Sequence, residues 1–249
     1  MPLWARLLLS AFCCAVLASS PVGAAEPAPA TPEQRRAIEA IVHDYLLSHP
    51  EVLIEALHEA EQKLDRDARA NARQALAAHR RELLADPATP VGGNPRGSAT
   101  IVEFFDYSCP YCKAVEPSLE RLLKQDRSLR FVYKEFPVLG PESVVAARAA
   151  LAANRQGKYE AFHDAMMAVR GPFDDAEIYR VAGSVGLDLA RLKRDMAAPQ
   201  VEAELKANMI LAAALDVHGT PTFVIGKEIV PGAIDLKNLQ RLIAAARTP

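Results

Sequence analysis

Two cysteines, Cys109 and Cys112, stand three positions apart directly after the apolar run Ile101 to Phe105. Thiols at this spacing can grip a metal, staple a loop or exchange electrons with other thiols. Cysteine arithmetic narrows the choice. Of four cysteines in 249 residues, Cys13 and Cys14 fall in LLLSAFCCAVLA, an apolar core with Arg6 before it and the small residues Val22-Gly23-Ala24-Ala25 after it. This is the pattern of a secretory signal peptide over residues 1–25, and its apolar core is too short to span a bilayer comfortably. Cleavage would leave Cys109 and Cys112 alone in a chain expected to be exported to the periplasm, whereas a retained segment would act as a membrane anchor. A disulfide scaffold needs several spaced cysteines. A structural zinc site needs two more ligands, which none of the six histidines supplies at finger spacing. Thiol chemistry remains, with Cu(I) binding by the soft thiolates as a minor alternative.

The pair also has a local setting that suits redox work. A cysteine at the start of a helix meets unpaired backbone N–H groups and the positive end of the macrodipole, which lower its thiol pKa. Cys109 is expected as the exposed nucleophile and Cys112, one turn further in, as the buried resolving thiol. Pro110 fits the first helical turn. Glu103 sits in the middle of the preceding apolar strand, six residues before Cys109. If buried, its carboxyl has a raised pKa suited to exchanging protons with Cys112; if the register turns it outward, it is merely solvated. Far downstream, Thr220-Pro221 precedes another strand. A cis bond there would expose a backbone edge to a substrate strand, while His218 beside it either tunes the thiolate or is simply hydrated.

The elements that must position these residues form two parts. EPAPATP, within residues 26–32, is a linker. Ile38, Ile41, Val42, Tyr45 and Leu46 then mark one helical stripe, and Pro50 opens a second helix bearing Val52, Leu53, Leu57 and Leu64. From Asp65 to Arg81 the sequence is almost all charge and alanine. Residues 33–85 read either as a solvated spacer or, on the regularity of the stripe, as a segment through which copies of the chain associate. A hinge is expected over 86–97. Residues 98–249 have α/β grammar: strands near 101–105 and 129–136, a helical block over about 142–217, a hairpin turning at Gly226-Lys227 and a last helix capped by Asp235. The composition, 50% hydrophobic and 24% charged, fits a globular protein of one or two domains, and a net charge of -2 argues against nucleic acid as a partner.

FFDYSCPYC, VYKEFPVLGPES and HGTPTFVI, in that order around a helical insertion, resemble the DsbA-like branch of the thioredoxin superfamily over roughly residues 98–246. The resemblance implies an α/β thioredoxin fold with an inserted helical subdomain, a redox-active Cys109–Cys112 disulfide with no other cofactor or metal, a cis-proline at Pro221 and a buried acid at Glu103. Pro110-Tyr111 between the cysteines and Thr220 before the proline resemble the isomerases and reductases of the family more than its strong oxidases. The N-terminal helices resemble those of ScsC-type proteins, which implies a homo-oligomer, disulfide shuffling on exported proteins, a membrane thiol-redox partner and a link to copper tolerance.

Overall fold

The structure, a computed structural model, describes residues 30–247. The expected signal peptide and most of the 26–32 linker lie outside the described residues. The chain divides into two compact units, Met1–Ala60 and Glu61–Pro249.

In the first unit, α1 (Pro32–Ser48) starts at a capping box. The Thr31 hydroxyl accepts from the Gln34 N–H at 3.2 Å while the Gln34 side chain accepts from the Thr31 N–H at 2.9 Å. Pro50 opens α2 (Pro50–Ala78), since it needs no N–H partner at a first turn. No residue of α1 is buried, and Ile38, Ile41, Val42 and Tyr45 face solvent together with Leu53, Ile54 and Leu57 of α2.

The second unit is built on a five-stranded sheet of order β1-β3-β2-β4-β5. Its strands are β1 (Val91–Gly93), β2 (Ala99–Phe105), β3 (Leu129–Glu135), β4 (Thr222–Ile225) and β5 (Glu228–Pro231). β2 pairs in parallel with β3 and antiparallel with β4, so the strand leading to Cys109 is central and covered on both faces. Period-two alternation sorts its side chains. Ile101 and Phe105 join a core with Val115, Leu119 and Leu122 of α4 (Pro110–Gln125), Leu239 and Ile243 of α10 (Leu236–Arg247), and Phe162 and Met166 of α6 (Tyr159–Ala168). Val102 and Phe104 point the other way, into a core with Leu211 and Ala212 of α9 (Pro199–Ala214). The helical block expected over 142–217 comprises α5 (Pro141–Asn154), α6, α7 (Asp175–Ser184), α8 (Leu189–Met196) and α9. Asp174 caps α7 and Asp235 caps α10 through their carboxylates, and the hairpin turns at Gly226, whose φ of 63° suits glycine.

The division between the two compact units falls at Ala60–Glu61, and the charged-and-alanine stretch carries core residues at its far end. Leu76 of α2 and Leu83 of α3 (Arg80–Leu84) are buried with Val102, Phe104 and Val224. The expected hinge supplies edge strand β1, paired with β3, and Gly97, where an added Cβ would lie 2.6 Å from the Ser128 carbonyl oxygen. A Leu83→Ala substitution is therefore expected to lower unfolding free energy by about 2–4 kcal/mol in a urea titration. A loss below about 0.5 kcal/mol, the range of a surface change, would place Leu83 outside the catalytic core.

Candidate active site

β2 ends in the turn Asp106-Tyr107-Ser108, which one carboxylate holds in shape. Asp106, fully buried, accepts from the Ser108 N–H at 2.7 Å and, across the site, from the Val138 and Leu139 N–H groups at 2.8 and 2.9 Å. Three backbone donors converge on this carboxylate and tie the loop after β3 to the start of α4. The Cys109 N–H closes the turn on the Asp106 carbonyl at 3.0 Å. Cys109 is the N-cap of α4 with extended backbone (φ -75°, ψ 117°), and Pro110 occupies the first turn.

The cysteines are both free thiols. Cys112 is fully buried, as expected. Cys109 corrects the expectation of an exposed nucleophile: only 3% of its surface is accessible. The cover comes from the loop before β4, where the Thr220–Pro221 bond is cis and the Thr220 carbonyl oxygen lies 3.2 Å from the Cys109 sulfur. That loop is held by the Thr222 hydroxyl, which donates to the Gly219 carbonyl at 2.7 Å, and by the Gly232 N–H, which donates to Pro221 at 2.8 Å. Tyr111 projects into solvent. His218 pairs with Asp216 at 2.8 Å with its side chain 80% exposed, which is the hydrated alternative.

Electrostatics separate the two thiols. A hydrogen bond from the Cys112 thiol is the largest influence on Cys109, lowering its pKa from 9.0 to about 5. Burial opposes it, and the Thr220 side chain and the N–H groups of Cys112 and Tyr111 assist. Cys112 moves the other way: burial first, then its bond to Cys109 and the nearby Glu103 charge, push its pKa far up. A thiol held so firmly needs a base at hand. Glu103 faces the same core as Cys112, with no exposed surface and both carboxyl oxygens unpartnered within the protein. Burial, then Glu116, then Cys109 raise its pKa well above 4.5. The arrangement can present one sulfur as a thiolate at neutral pH while keeping the second protonated beside a carboxyl group.

Sequence reasoning missed Asp106, although it stands three residues before Cys109, because its role is to receive donors from residues 138 and 139. It also missed Glu116, one helical turn beyond Cys112 and so legible from i,i+4 spacing. His163, buried in α6, gives no such signal. Glu116, His163 and Asp164 place one ligand atom each within 4.8 Å of one another, a nitrogen-and-oxygen set of the kind borderline divalent metals accept.

The titration of the reduced protein follows. Thiolate absorbance at 240 nm should rise with a midpoint near pH 5, and the midpoint should move up in Cys112→Ala, which removes the leading donor. An unchanged midpoint in that variant would refute the assignment. Glu103 acts with opposite sign, because a carboxyl whose folded pKa is raised supplies stability below its unfolded pKa that is lost as pH rises towards the folded one. In the oxidised protein, where no thiol titrates, Glu103→Gln should flatten the decline in unfolding free energy above pH 4.5. Parallel pH profiles for the two proteins would contradict the burial argument.

Two families match the chain: the DSBA-like thioredoxin domain over residues 100–244 and the copper resistance protein ScsC N-terminal domain over residues 34–64. A thioredoxin-like oxidoreductase from Silicibacter pomeroyi is 47% identical, with a TM-score of 0.67 covering 68% of this chain and 98% of that one. ScsC from Proteus mirabilis, in a transitional conformation, is 30% identical with a TM-score of 0.65, covering 88% of this chain and 99% of that one. Na(+)/H(+) antiporter NhaA 1 of Salinispora arenicola is 30% identical over 158 residues, 63% of this chain, and the chain spans only 24% of that relative's length. No helix among the described residues is long and apolar enough to cross a membrane. With its cysteine pair at a helix N-terminus facing a cis-proline loop, the chain belongs to the DSBA-like thioredoxin domain family.

Proposed function

We propose that the chain is a periplasmic disulfide isomerase and reductase acting on exported proteins, with Cys109 as nucleophile and Cys112 as resolving thiol. The Cys109 thiolate attacks a substrate disulfide, forms a mixed disulfide and releases one substrate thiolate. That thiolate either attacks elsewhere in the substrate, which ends in a reshuffled disulfide and free Cys109, or leaves the substrate reduced when Cys112 resolves. In the second case the Cys109–Cys112 disulfide needs two electrons from a membrane thiol-redox partner. Thr220 and Pro221 offer the backbone edge beside Cys109, and the exposed Tyr111 and Pro110 form part of the substrate-facing rim. The signal-peptide pattern supports the periplasmic location.

The observation that carries the isomerase reading is the unpartnered apolar stripe of residues 38–57, lying in a segment that matches the ScsC N-terminal family. Such a stripe at helical spacing is what a homo-oligomer would bury. Several exchange sites in one particle raise the effective concentration for a second contact on a misfolded chain. An oxidase reading draws on Cys109, because a thiolate stabilised to about pH 5 favours the reduced pair. A Cu(I)-binding reading draws on the copper resistance named in the N-terminal family match and on the two free thiols.

Scrambled ribonuclease separates the first two: recovery of activity supports isomerisation, and net oxidation of a reduced substrate without reshuffling contradicts it. Light scattering should show self-association of the mature protein and a monomer for a chain beginning at Glu61, the start of the second unit. That shortened chain should keep simple thiol oxidation and lose isomerisation by at least about tenfold. A monomer in both cases would refute the role of the stripe. Stoichiometric Cu(I) binding lost in Cys109→Ser, with little exchange activity in the wild type, would favour the copper reading.

A further inference from the structure

Among the described residues, five buried side-chain atoms lack a hydrogen-bond partner within the protein, and two of them face each other. They are Glu116 Oε2, from the active-site helix α4, and His163 Nε2, from α6 of the helical insertion, 3.7 Å apart. His163 has no exposed surface, and Glu116 keeps only 9%. Buried polar atoms without partners are costly, so a pair of them asks for a ligand. The exposed Asp164 adds a third ligand atom, and the three lie within 4.8 Å of one another.

Spacing decides what fits between the buried two. At 3.7 Å they are too far apart for a direct hydrogen bond. A water bonded to both at about 2.8 Å, with a tetrahedral angle, would hold them about 4.6 Å apart. A zinc ion bonded to both at about 2.0–2.1 Å would hold them about 3.4 Å apart. The observed spacing lies nearer the metal's value.

The imidazole is also presented in the form a metal needs. Its Nδ1 atom lies 3.1 Å from the Tyr107 hydroxyl, which donates to Glu135 at 3.2 Å, and Tyr159 donates to the same Glu135 oxygen at 2.6 Å. With the Tyr107 proton committed to Glu135, the Tyr107 oxygen accepts from the Nδ1–H group and the Nε2 lone pair is left facing Glu116. Such a bond at the far ring nitrogen is what fixes the tautomer of metal-bound histidines. Phe105, Tyr133 and Tyr159 pack around the ring and hold its plane.

Charge points the same way. Glu116, Glu120 and Glu160 add negative potential at Asp164. Of these, Glu120 is paired with Lys124 at 2.9 Å. Two carboxylates and a neutral imidazole match the charge of a divalent ion. One nitrogen and two oxygens suit a borderline ion such as Zn(II), since magnesium and calcium favour oxygen alone and Cu(I) favours sulfur.

We infer that Glu116, His163 and Asp164 bind a divalent ion of the zinc type, which ties α4 to α6 and completes its coordination with water. The site uses neither Cys109 nor Cys112 and does not rest on thiol exchange at them.

The test uses the oxidised protein, whose Cys109–Cys112 disulfide withholds both thiols from metal. Isothermal titration with Zn(II) should show one ion bound per chain. Co(II) in its place should give visible absorption without the near-ultraviolet band of a sulfur ligand. Affinity for Zn(II) should fall at least about tenfold in Glu116→Gln, His163→Gln and Asp164→Asn. Zn(II) should also raise the urea midpoint of the wild type more than that of each variant. A wild-type protein that binds no Zn(II) would overturn the inference. So would wild-type affinity in the variants, which would assign the ion to exposed histidines such as His43 and His218. If the two variants of the buried residues fail to fold, Asp164→Asn decides alone.

Discussion

The hydrogen bond from the Cys112 thiol to the Cys109 sulfur is the contact on which the site depends, and burying its donor makes it effective. In a water-filled site two thiols would titrate almost alike, near the ordinary cysteine range. Here the burial of Cys112 keeps its proton in place, and the proton in turn favours negative charge on Cys109. The start of α4 adds the N–H groups of Cys112 and Tyr111 to the same sulfur. Two chemically identical side chains become a thiolate and a firmly held thiol because one lies at the helix N-terminus and the other a turn deeper.

That difference requires a rigid frame, which the fold supplies from both sides of the sheet. Covering β2 on both faces removes water from around Cys112 and Glu103. Asp106 then fixes the turn between strand and helix through three backbone donors, and the cis-proline loop closes over Cys109 from a segment 111 residues away. The second core cluster depends on Leu76 and Leu83, so the charged end of the N-terminal helices contributes to the frame on which the chemistry rests. In the first unit, residues 38–57 carry exposed apolar side chains.

Much of this was legible in the sequence because the signals were local. Ile101 to Phe105 reads as a buried strand, Gly226-Lys227 as a hairpin turn, Asp174 and Asp235 as caps, and the cysteine pair with Pro110 as a helix start. For Glu103 the sequence allows both a buried and a solvated reading, and its place on the central strand β2 decides for burial. What escaped depended on distant partners. Leu76 and Leu83 are apolar residues in a charged helix, and their spacing does not say which surface they cover. The burial of Cys109 comes from Thr220, and the position of His163 beside Glu116 arises only when α6 packs against α4.

Across the neutral range the reduced pair holds one thiolate and one thiol. The reduction potential of the Cys109–Cys112 pair, measured against glutathione from pH 4 to 8, tests it directly. One proton taken up with two electrons gives a slope of about 30 mV per pH unit above pH 5, steepening to about 59 mV below it as Cys109 also protonates. A uniform slope of about 59 mV per pH unit through the whole range would mean that both sulfurs are protonated on reduction, and would contradict the account.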